Sequence, residues 1–284
     1  MKLSWIQFKY KGSSSLNLNF IKNTIEELSE HKSDLIILPE LCLTNYFCIE
    51  EKQSEFNQAI TLEDSAIIEM SQMAKKHQTV LLFPFFEKRD KGIYHNSVVV
   101  FDKDGSIAGQ YRKMHIPDDP GFYEKYYFTQ GDLGFEPIQT SIGKLGVMIC
   151  WDQWFPEAAR IMALKGADLL IFPTAIGWDD NEPENVYQSQ LEAWQIMMRS
   201  HSIANGLHTI AVNRIGQEQH LNFWGNSFIT DPYGKFLLQN TSTEDSTSTI
   251  EIDLSSTENA RQTWPFFRDR RIDQYQSLLK VWDN

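Results

Sequence analysis

The 284-residue sequence has few of the features that mark disulfide-rich, membrane-spanning or secreted proteins. Its three cysteines, Cys42, Cys48 and Cys150, are too few for a disulfide scaffold, so we expect them to remain thiols in a reducing cytoplasm. No apolar run approaches the ~18 residues of a membrane span, and the polar Gln7 and Lys9 interrupt any signal-peptide core. These absences predict a cytoplasmic protein with no membrane partner.

Positive charge is also scarce, because 26 Lys and Arg residues face 38 Asp and Glu residues and the formal net charge is −12. A nucleic-acid-binding face needs basic residues to neutralise phosphates, so we expect no nucleic-acid partner. The acidic balance fits an enzyme of small molecules and mildly favours cationic ligands. Glycine-rich nucleotide-binding motifs, the HExxH zinc motif and zinc-finger cysteine spacing are absent from the sequence.

Apolar residues recur with alternating strand and helix spacing, which predicts an α/β fold. Helices are expected around Leu18 to Leu28, around Ala66 to Met73, from Pro156 onward, and over Asn185–Asn205 with Gly206 as the closing residue. Strands are expected at Lys2–Tyr10, Asp34–Leu38, Thr79–Phe86, Val98–Phe101, Ile107–Tyr111, Leu145–Ile149, Asp168–Phe172, Thr209–Asn213, Phe223–Thr230 and Thr247–Leu254. A turn sequence joins the fourth and fifth of these strands into a hairpin.

A faint internal duplication is visible in the sequence. Asp34–Pro39 resembles Asp168–Pro173, and Asn96-Ser97 with its following turn resembles Asn226-Ser227 at a similar offset. Two packed halves, each with its own sheet, would explain the likeness, but strand–turn units also resemble one another by chance. No Pro-, Gly- or Ser-rich linker separates the halves, so we expect a single domain over residues 1–284.

Cys150 follows an apolar strand and precedes a turn and a helix, as the nucleophile does in strand-to-helix elbows. The alternative is a buried structural cysteine, which is the commoner fate of a free cysteine. Glu40 follows an apolar strand and Pro39, so it is either a carboxylate aimed into a cleft or an ordinary loop residue. Glu124 lies among aromatic residues, where burial would shift its pKa, unless it only pairs with Lys125.

Lys113 also follows a predicted strand, although a lysine at such a place is a surface residue by default. If the three strands are neighbours, Glu40, Lys113 and Cys150 converge. A carboxylate could then take the thiol proton, the thiolate could attack a carbonyl carbon, and the ammonium could stabilise the oxyanion. A cysteine–histidine protease remains an alternative on spacing alone, although the residues around Cys150 do not match the papain type.

These motifs resemble those of the carbon–nitrogen hydrolase (nitrilase) superfamily. The resemblance rests on Leu38-Pro39-Glu40, Tyr111-Arg112-Lys113 and Cys150-Trp151-Asp152 in this order, and it runs from Trp5 to about Asp269. It implies that Glu40 is the general base, that Lys113 is the oxyanion-stabilising cation, and that Cys150 is the nucleophile. It also implies that Glu124 helps to position substrate and Lys113. A wider set is implied to contact substrate: His115, Trp151, Asp152, Thr174 and Ala175.

The same resemblance implies a four-layer α-β-β-α sandwich made of two similar halves, each with a mixed sheet. It implies no metal and no organic cofactor. It further implies a homo-oligomer, a dimer or larger, in which the C-terminal segment 261–284 contacts a partner subunit.

Within the superfamily, the segments Lys113–Phe128, Cys150–Glu157 and Pro173–Trp178 resemble the branch that hydrolyses N-carbamoylputrescine to putrescine, ammonia and carbon dioxide in polyamine synthesis. Enzymes that remove carbamoyl groups from D-amino acids carry two arginines where this chain has Gln153 and Trp154, so a substrate carboxylate lacks its expected clamp. A cationic carbamoyl substrate is therefore favoured. A β-ureido acid, an aliphatic amide or a non-catalytic binding role are the alternatives.

Overall fold

The computed structural model describes residues 1–283, and their strands form two six-stranded mixed sheets and a three-stranded sheet. The strands are β1 Lys2–Gln7, β2 Leu35–Ile37, β3 Val80–Asp90, β4 Ile93–Phe101, β5 Ile107–Arg112, β6 Ile138–Thr140, β7 Gly143–Val147, β8 Leu169–Thr174, β9 Gly177–Asp179, β10 His208–Asn213, β11 Ile215–Glu218, β12 Leu221–Trp224, β13 Ser227–Thr230, β14 Phe236–Asn240 and β15 Ser246–Glu251. The helices are α1 Ser14–Leu28, α2 Ser65–His77, α3 Glu124–Tyr127, α4 Pro156–Leu164, α5 Glu184–Asn205 and α6 Ser256–Thr263.

The two large sheets form the inner layers of a four-layer α-β-β-α sandwich, as the resemblance implied. Successive side chains of a strand point to opposite faces of the sheet. Leu35 and Ile37 of β2 accordingly belong to the apolar core between the sheets, whereas Ile36 belongs to the core beneath α1 and α2. Met162 of α4 and Met198 of α5 are buried over the second sheet. Burial of both faces explains why these strands read as continuous apolar runs.

The two sheets correspond strand by strand. The first has the order β15-β1-β2-β3-β4-β5, and the second, taken from its opposite edge, has the order β6-β7-β8-β10-β13-β14. Each adjacent pair in one sheet has the same parallel or antiparallel direction as its counterpart in the other. The fold therefore confirms the two similar halves and favours duplication over a chance likeness.

Several local predictions are confirmed. Helix α4 begins at Pro156. Proline is well tolerated there because the N–H groups of the first helical turn have no acceptor within the helix. Helix α5 ends at Asn205, where Gly206 adopts φ of +60°. Strands β4 and β5 form the expected antiparallel hairpin.

The prediction of one strand over Phe223–Thr230 is wrong. The extended conformation ends at Gly225 and Asn226, which have φ of +58° and +53°, so β12 and β13 are separate strands in different sheets. A side chain at position 225 would meet Ile215 at 2.4 Å, which leaves room for glycine only. In residues 1–283, no helix combines the length and apolarity that crossing a membrane requires.

Candidate active site

The ends of β2, β5 and β7 bring the three predicted catalytic side chains together. Glu40 lies three residues beyond β2, Lys113 directly follows β5, and Cys150 lies three residues beyond β7. The ammonium Nζ of Lys113 donates to Glu40 Oε1 at 2.8 Å and to Glu124 Oε2 at 2.7 Å. All four side chains are buried, so the predicted convergence and the inclusion of Glu124 both agree with the geometry.

Cys150 occupies a strained backbone position at the elbow. It is the first residue of the 3₁₀ helix Cys150–Trp154 and has φ of +41°, which non-glycine residues rarely adopt. Its Sγ lies 3.7 Å from the carbonyl oxygen of Ala175. Strain of this kind is found at sites where the surrounding structure fixes a reactive side chain.

Burial and nearby charges shift the pKa values of Cys150, Lys113 and Glu124. Burial, and then the Glu40 carboxylate, raise the pKa of Cys150 well above its usual value, with partial opposition from Lys113. The thiol is therefore neutral at rest and needs a base before it can attack. Burial acts to lower the pKa of Lys113, but Glu124 and Glu40 raise it well above its usual value, so the ammonium stays charged.

Glu124 differs from an ordinary surface carboxylate. Burial raises its pKa to about 7, Lys113 opposes this, and the Glu40 charge adds to it. The hydroxyl of Tyr46 donates to Glu124 Oε1 at 2.7 Å. Glu124 is thus held between an ammonium and a hydroxyl, which fixes the carboxylate and the end of Lys113.

A cavity of about 560 Å³ opens over Cys150 and Glu124. Aromatic residues of its wall include Phe122, Trp151 and Trp224, and three further lining residues are acidic: Asp119, Asp179 and Glu182. Among the described residues that line the cavity, none is Lys, Arg or His. A larger depression of about 880 Å³ lies over Phe56 and Tyr126, but none of the four catalytic candidates lines it.

The five residues that were expected to contact substrate separate into two groups. Trp151 and Ala175 line the cavity, whereas the other three do not. The ring of His115 stacks on Phe155 at 3.7 Å, and Thr174 Oγ1 donates to the carbonyl of Phe172 at 3.0 Å.

Asp152 is fully buried, and its hydrogen bonds hold the elbow. It accepts from the Tyr111 hydroxyl at 2.8 Å, from the Ile149 backbone N–H at 3.0 Å, and from the backbone N–H and Nδ1 of His115 at 3.0 and 2.7 Å. Each carboxylate oxygen thus accepts from two protein donors, which leaves little capacity for a ligand.

Gln153, at one of the two positions of the missing arginine clamp, also has defined partners. Gln153 lines the cavity, and its Oε1 accepts from Trp194 Nε1 at 2.8 Å. Its backbone carbonyl lies 2.7 Å from Nε2 of His201. Gln153 and Trp154 therefore bring no positive charge to the cavity wall.

Two contacts of the site were missed by the sequence analysis. Asn96 Nδ2 donates to Glu40 Oε1 at 2.7 Å, and Tyr46 donates to Glu124 as described above. The Asn-Ser pair repeated at 96–97 and 226–227 drew attention to Asn96 as part of the duplication, but it did not indicate a contact with Glu40. Tyr46 had no such signal.

The carbon-nitrogen hydrolase family model matches residues 2–262. A protein of Francisella tularensis named citrullinase is 38% identical, covering 99% of this chain and 98% of its own length. An N-carbamoylputrescine amidase of Arabidopsis thaliana is 37% identical, covering 98% of this chain and 95% of its own length.

The fold has a near-complete match among solved structures. The crystal structure of a carbon-nitrogen hydrolase from Helicobacter pylori G27 superposes with a TM-score of 0.97 and 49% identity, covering 100% of this chain and 99% of the other. Family model, full-length relatives and fold agree: this chain belongs to the carbon-nitrogen hydrolase family and is a hydrolase of carbon–nitrogen bonds.

Proposed function

We propose that the protein hydrolyses N-carbamoylputrescine to putrescine, ammonia and carbon dioxide. One observation carries the proposal: Cys150 lines a cavity whose charged lining residues are all acidic, and the buried Lys113 bridges Glu40 to the lining residue Glu124. The relatives named N-carbamoylputrescine amidase and citrullinase both point to a carbamoyl group as the reacting part.

The reaction proceeds through a covalent intermediate on Cys150. Glu40 takes the thiol proton as Sγ attacks the carbamoyl carbon, and the new oxyanion is stabilised by the Lys113 ammonium and the backbone N–H of Trp151. Collapse breaks one C–N bond, and the proton held by Glu40 passes to the departing amine. Water, which then gives its proton to Glu40, attacks the acyl-enzyme and frees the thiol. The remaining carbamate breaks down to amine and carbon dioxide.

The acidic lining residues bind the end of the substrate that lies opposite its carbamoyl group. Asp119, Asp179 and Glu182 line the cavity, and Glu182 uses one oxygen, Oε2, to accept from Gln190 at 2.7 Å. A terminal ammonium gains ion pairing there, while the apolar wall covers a methylene chain.

Removal of this charge should weaken binding of the cationic substrate specifically. In the double variant Asp179→Asn with Glu182→Gln, we expect kcat/KM for N-carbamoylputrescine to fall about tenfold, roughly 1.4 kcal/mol. N-pentylurea, which replaces the ammonium with a methyl group, is the matched control and should change by less than about twofold. Equal losses for both substrates would contradict ion pairing at this end of the cavity.

Citrulline is the second candidate, because a full-length relative bears the name citrullinase. Citrulline is N-carbamoylputrescine with an added α-carboxylate, so the two compounds differ by one charged group. That carboxylate would enter a cavity without a basic lining residue and would lie near three acids.

A substrate panel tests the assignment. Ammonia release would be measured with N-carbamoylputrescine, citrulline, N-carbamoyl-β-alanine and a simple aliphatic amide, each with wild type and Cys150→Ala. We expect at least about tenfold preference for the first compound and no turnover by the variant. A preference for either carboxylate-bearing compound would overturn the substrate assignment, and full activity of Cys150→Ala would overturn the mechanism.

We further place this reaction in polyamine synthesis in the cytoplasm. The product putrescine is itself a polyamine. All three cysteines of the described chain are free thiols, which suits a reducing compartment.

A further inference from the structure

We propose that Asn96 is a positioning residue that keeps one oxygen of Glu40 occupied and leaves the other free to act as the base. This inference rests on the proposed function, since it takes Glu40 as the group that deprotonates Cys150.

The two oxygens of Glu40 have unequal surroundings. Oε1 accepts from Lys113 Nζ at 2.8 Å and from Asn96 Nδ2 at 2.7 Å. Oε2 is buried and accepts from none of the described residues. Two strong donors on one oxygen hold the carboxylate in one rotation and withdraw charge from that oxygen. The second oxygen is left as the basic site.

Asn96 is fixed tightly enough to impose this orientation. It lies within β4, is fully buried, and pairs in register with Phe86 of β3. Its backbone carbonyl accepts from the Lys113 backbone N–H at 2.9 Å. One residue therefore holds both the backbone of the oxyanion-stabilising lysine and the side chain of the base.

The amide of Asn96 also has a cost that a space-filling residue would avoid. Its Oδ1 is buried and finds no hydrogen-bond partner among the described residues. An unpaired buried acceptor destabilises a fold, so an apolar side chain would serve better if packing were the only role. The benefit of asparagine here lies in its Nδ2 donor.

Two substitutions with opposite volume changes test the inference. Asn96→Ala leaves a small cavity and Asn96→Leu overfills it, but both remove the donor. We expect kcat to fall about 10- to 100-fold in both, while KM stays within about twofold because Asn96 does not line the cavity. The rate at which iodoacetamide alkylates Cys150 should also fall in both variants, because the thiol loses its oriented base.

Asn205 provides the matched control. It is a buried asparagine whose Nδ2 donates to the His201 carbonyl at 2.9 Å and whose Oδ1 also lacks a partner among the described residues. Asn205→Ala and Asn205→Leu should leave kcat and Cys150 alkylation near the wild-type values.

A folded Asn96→Ala or Asn96→Leu variant with wild-type kcat and alkylation rate would overturn the role of Asn96. If neither folds, Asn96→Ser, whose hydroxyl is too short to replace the amide, is judged by the same criterion. Alkylation needs no substrate, so it tests Asn96 even if N-carbamoylputrescine proves not to be the substrate. Failure of the proposed function shows separately, as lack of turnover by wild type.

Discussion

At the residue scale, the buried ammonium of Lys113 lies between the carboxylates of Glu40 and Glu124. Burial of an isolated charge would be costly, but two partners at hydrogen-bond distance compensate for lost hydration. The excess negative charge is accommodated at Glu124, whose pKa is raised to about 7, first by burial. Glu124 therefore binds a proton near neutral pH, and the thiol of Cys150 is neutral at rest.

The raised pKa of Glu124 predicts a pH dependence of stability. The Glu124 carboxyl binds its proton more tightly in the folded state than in the unfolded chain. Protonation of Glu124 therefore stabilises the fold fully below about pH 4.5, and this stabilisation is lost as pH rises through about 7. Relative to Glu124→Gln, the free energy of unfolding of wild type should fall between pH 5 and 7, by about 1–3 kcal/mol, and then level off. Urea unfolding of both proteins across this pH range measures the difference in their free energies of unfolding. A constant difference between the two proteins from pH 5 to 8 would contradict the raised pKa.

The convergence of the candidate catalytic residues was predictable because each follows a strand and belongs to a short motif. Partners such as Asn96 and Tyr46 were not predictable as partners, since a hydrogen bond across 56 or 78 residues leaves no local pattern. The buried role of Asp152 was missed for the same reason. The resemblance implied a substrate contact for Asp152, whereas three of its four donors come from Tyr111 and His115, about 40 residues earlier in the chain.

At the element scale, Asp152 joins the ends of two strands that belong to different sheets. It binds the Ile149 N–H beyond β7, the Tyr111 hydroxyl on β5, and the segment after β5 at His115. These contacts set the distance between the elbow that carries Cys150 and the strand that precedes Lys113. The carboxylate is thus a connector beneath the site.

Loss of this connector should destabilise the protein. Asp152→Ala leaves several buried donors without an acceptor, and we expect the free energy of unfolding to fall by about 3 kcal/mol or more. Asp118→Ala, at an exposed position near the cavity, is the control and should change it by less than about 0.5 kcal/mol. Guanidinium unfolding compares the two, and equal effects would exclude the connecting role.

Strand and helix interiors were predictable because the apolar period is a local property. The break between β12 and β13 was missed because apolar residues flank Gly225-Asn226 on both sides and masked a turn signal. The short strands β9 and β11 lie in the small sheet, and neither has a clear alternation of buried and exposed residues, since all three residues of β9 are half-buried.

At the scale of the whole molecule, the site forms only where the two halves meet. Glu40 and Lys113 come from the first half and Cys150 from the second. Thr174 stands at the place equivalent to Glu40, directly after the repeated strand and proline, and its hydroxyl donates to the Phe172 carbonyl. The duplicated halves share their topology, while the candidate catalytic residues form a single cluster.

We propose that a second copy of the chain covers the C-terminal segment 261–284, of which residue 284 lies outside the described residues. Ile272, Leu278, Leu279 and Val281 are exposed, which is unusual for clustered aliphatic side chains on a monomer. Leu279→Glu with Val281→Glu should lower the molar mass measured by light scattering, whereas Ile68→Glu on the outer face of α2 should not. A wild-type protein that is monomeric at micromolar concentration would contradict this proposal.

The most direct test of the account is mass spectrometry of the enzyme quenched during turnover of N-carbamoylputrescine. We expect an acyl adduct on the peptide that contains Cys150 and none on the peptides of Cys42 or Cys48. The adduct mass, carbamoyl alone or carbamoyl with the amine chain attached, identifies which amine leaves first. Sustained turnover with no adduct on Cys150, together with activity in Cys150→Ala, would contradict the central claim that this thiol is the nucleophile.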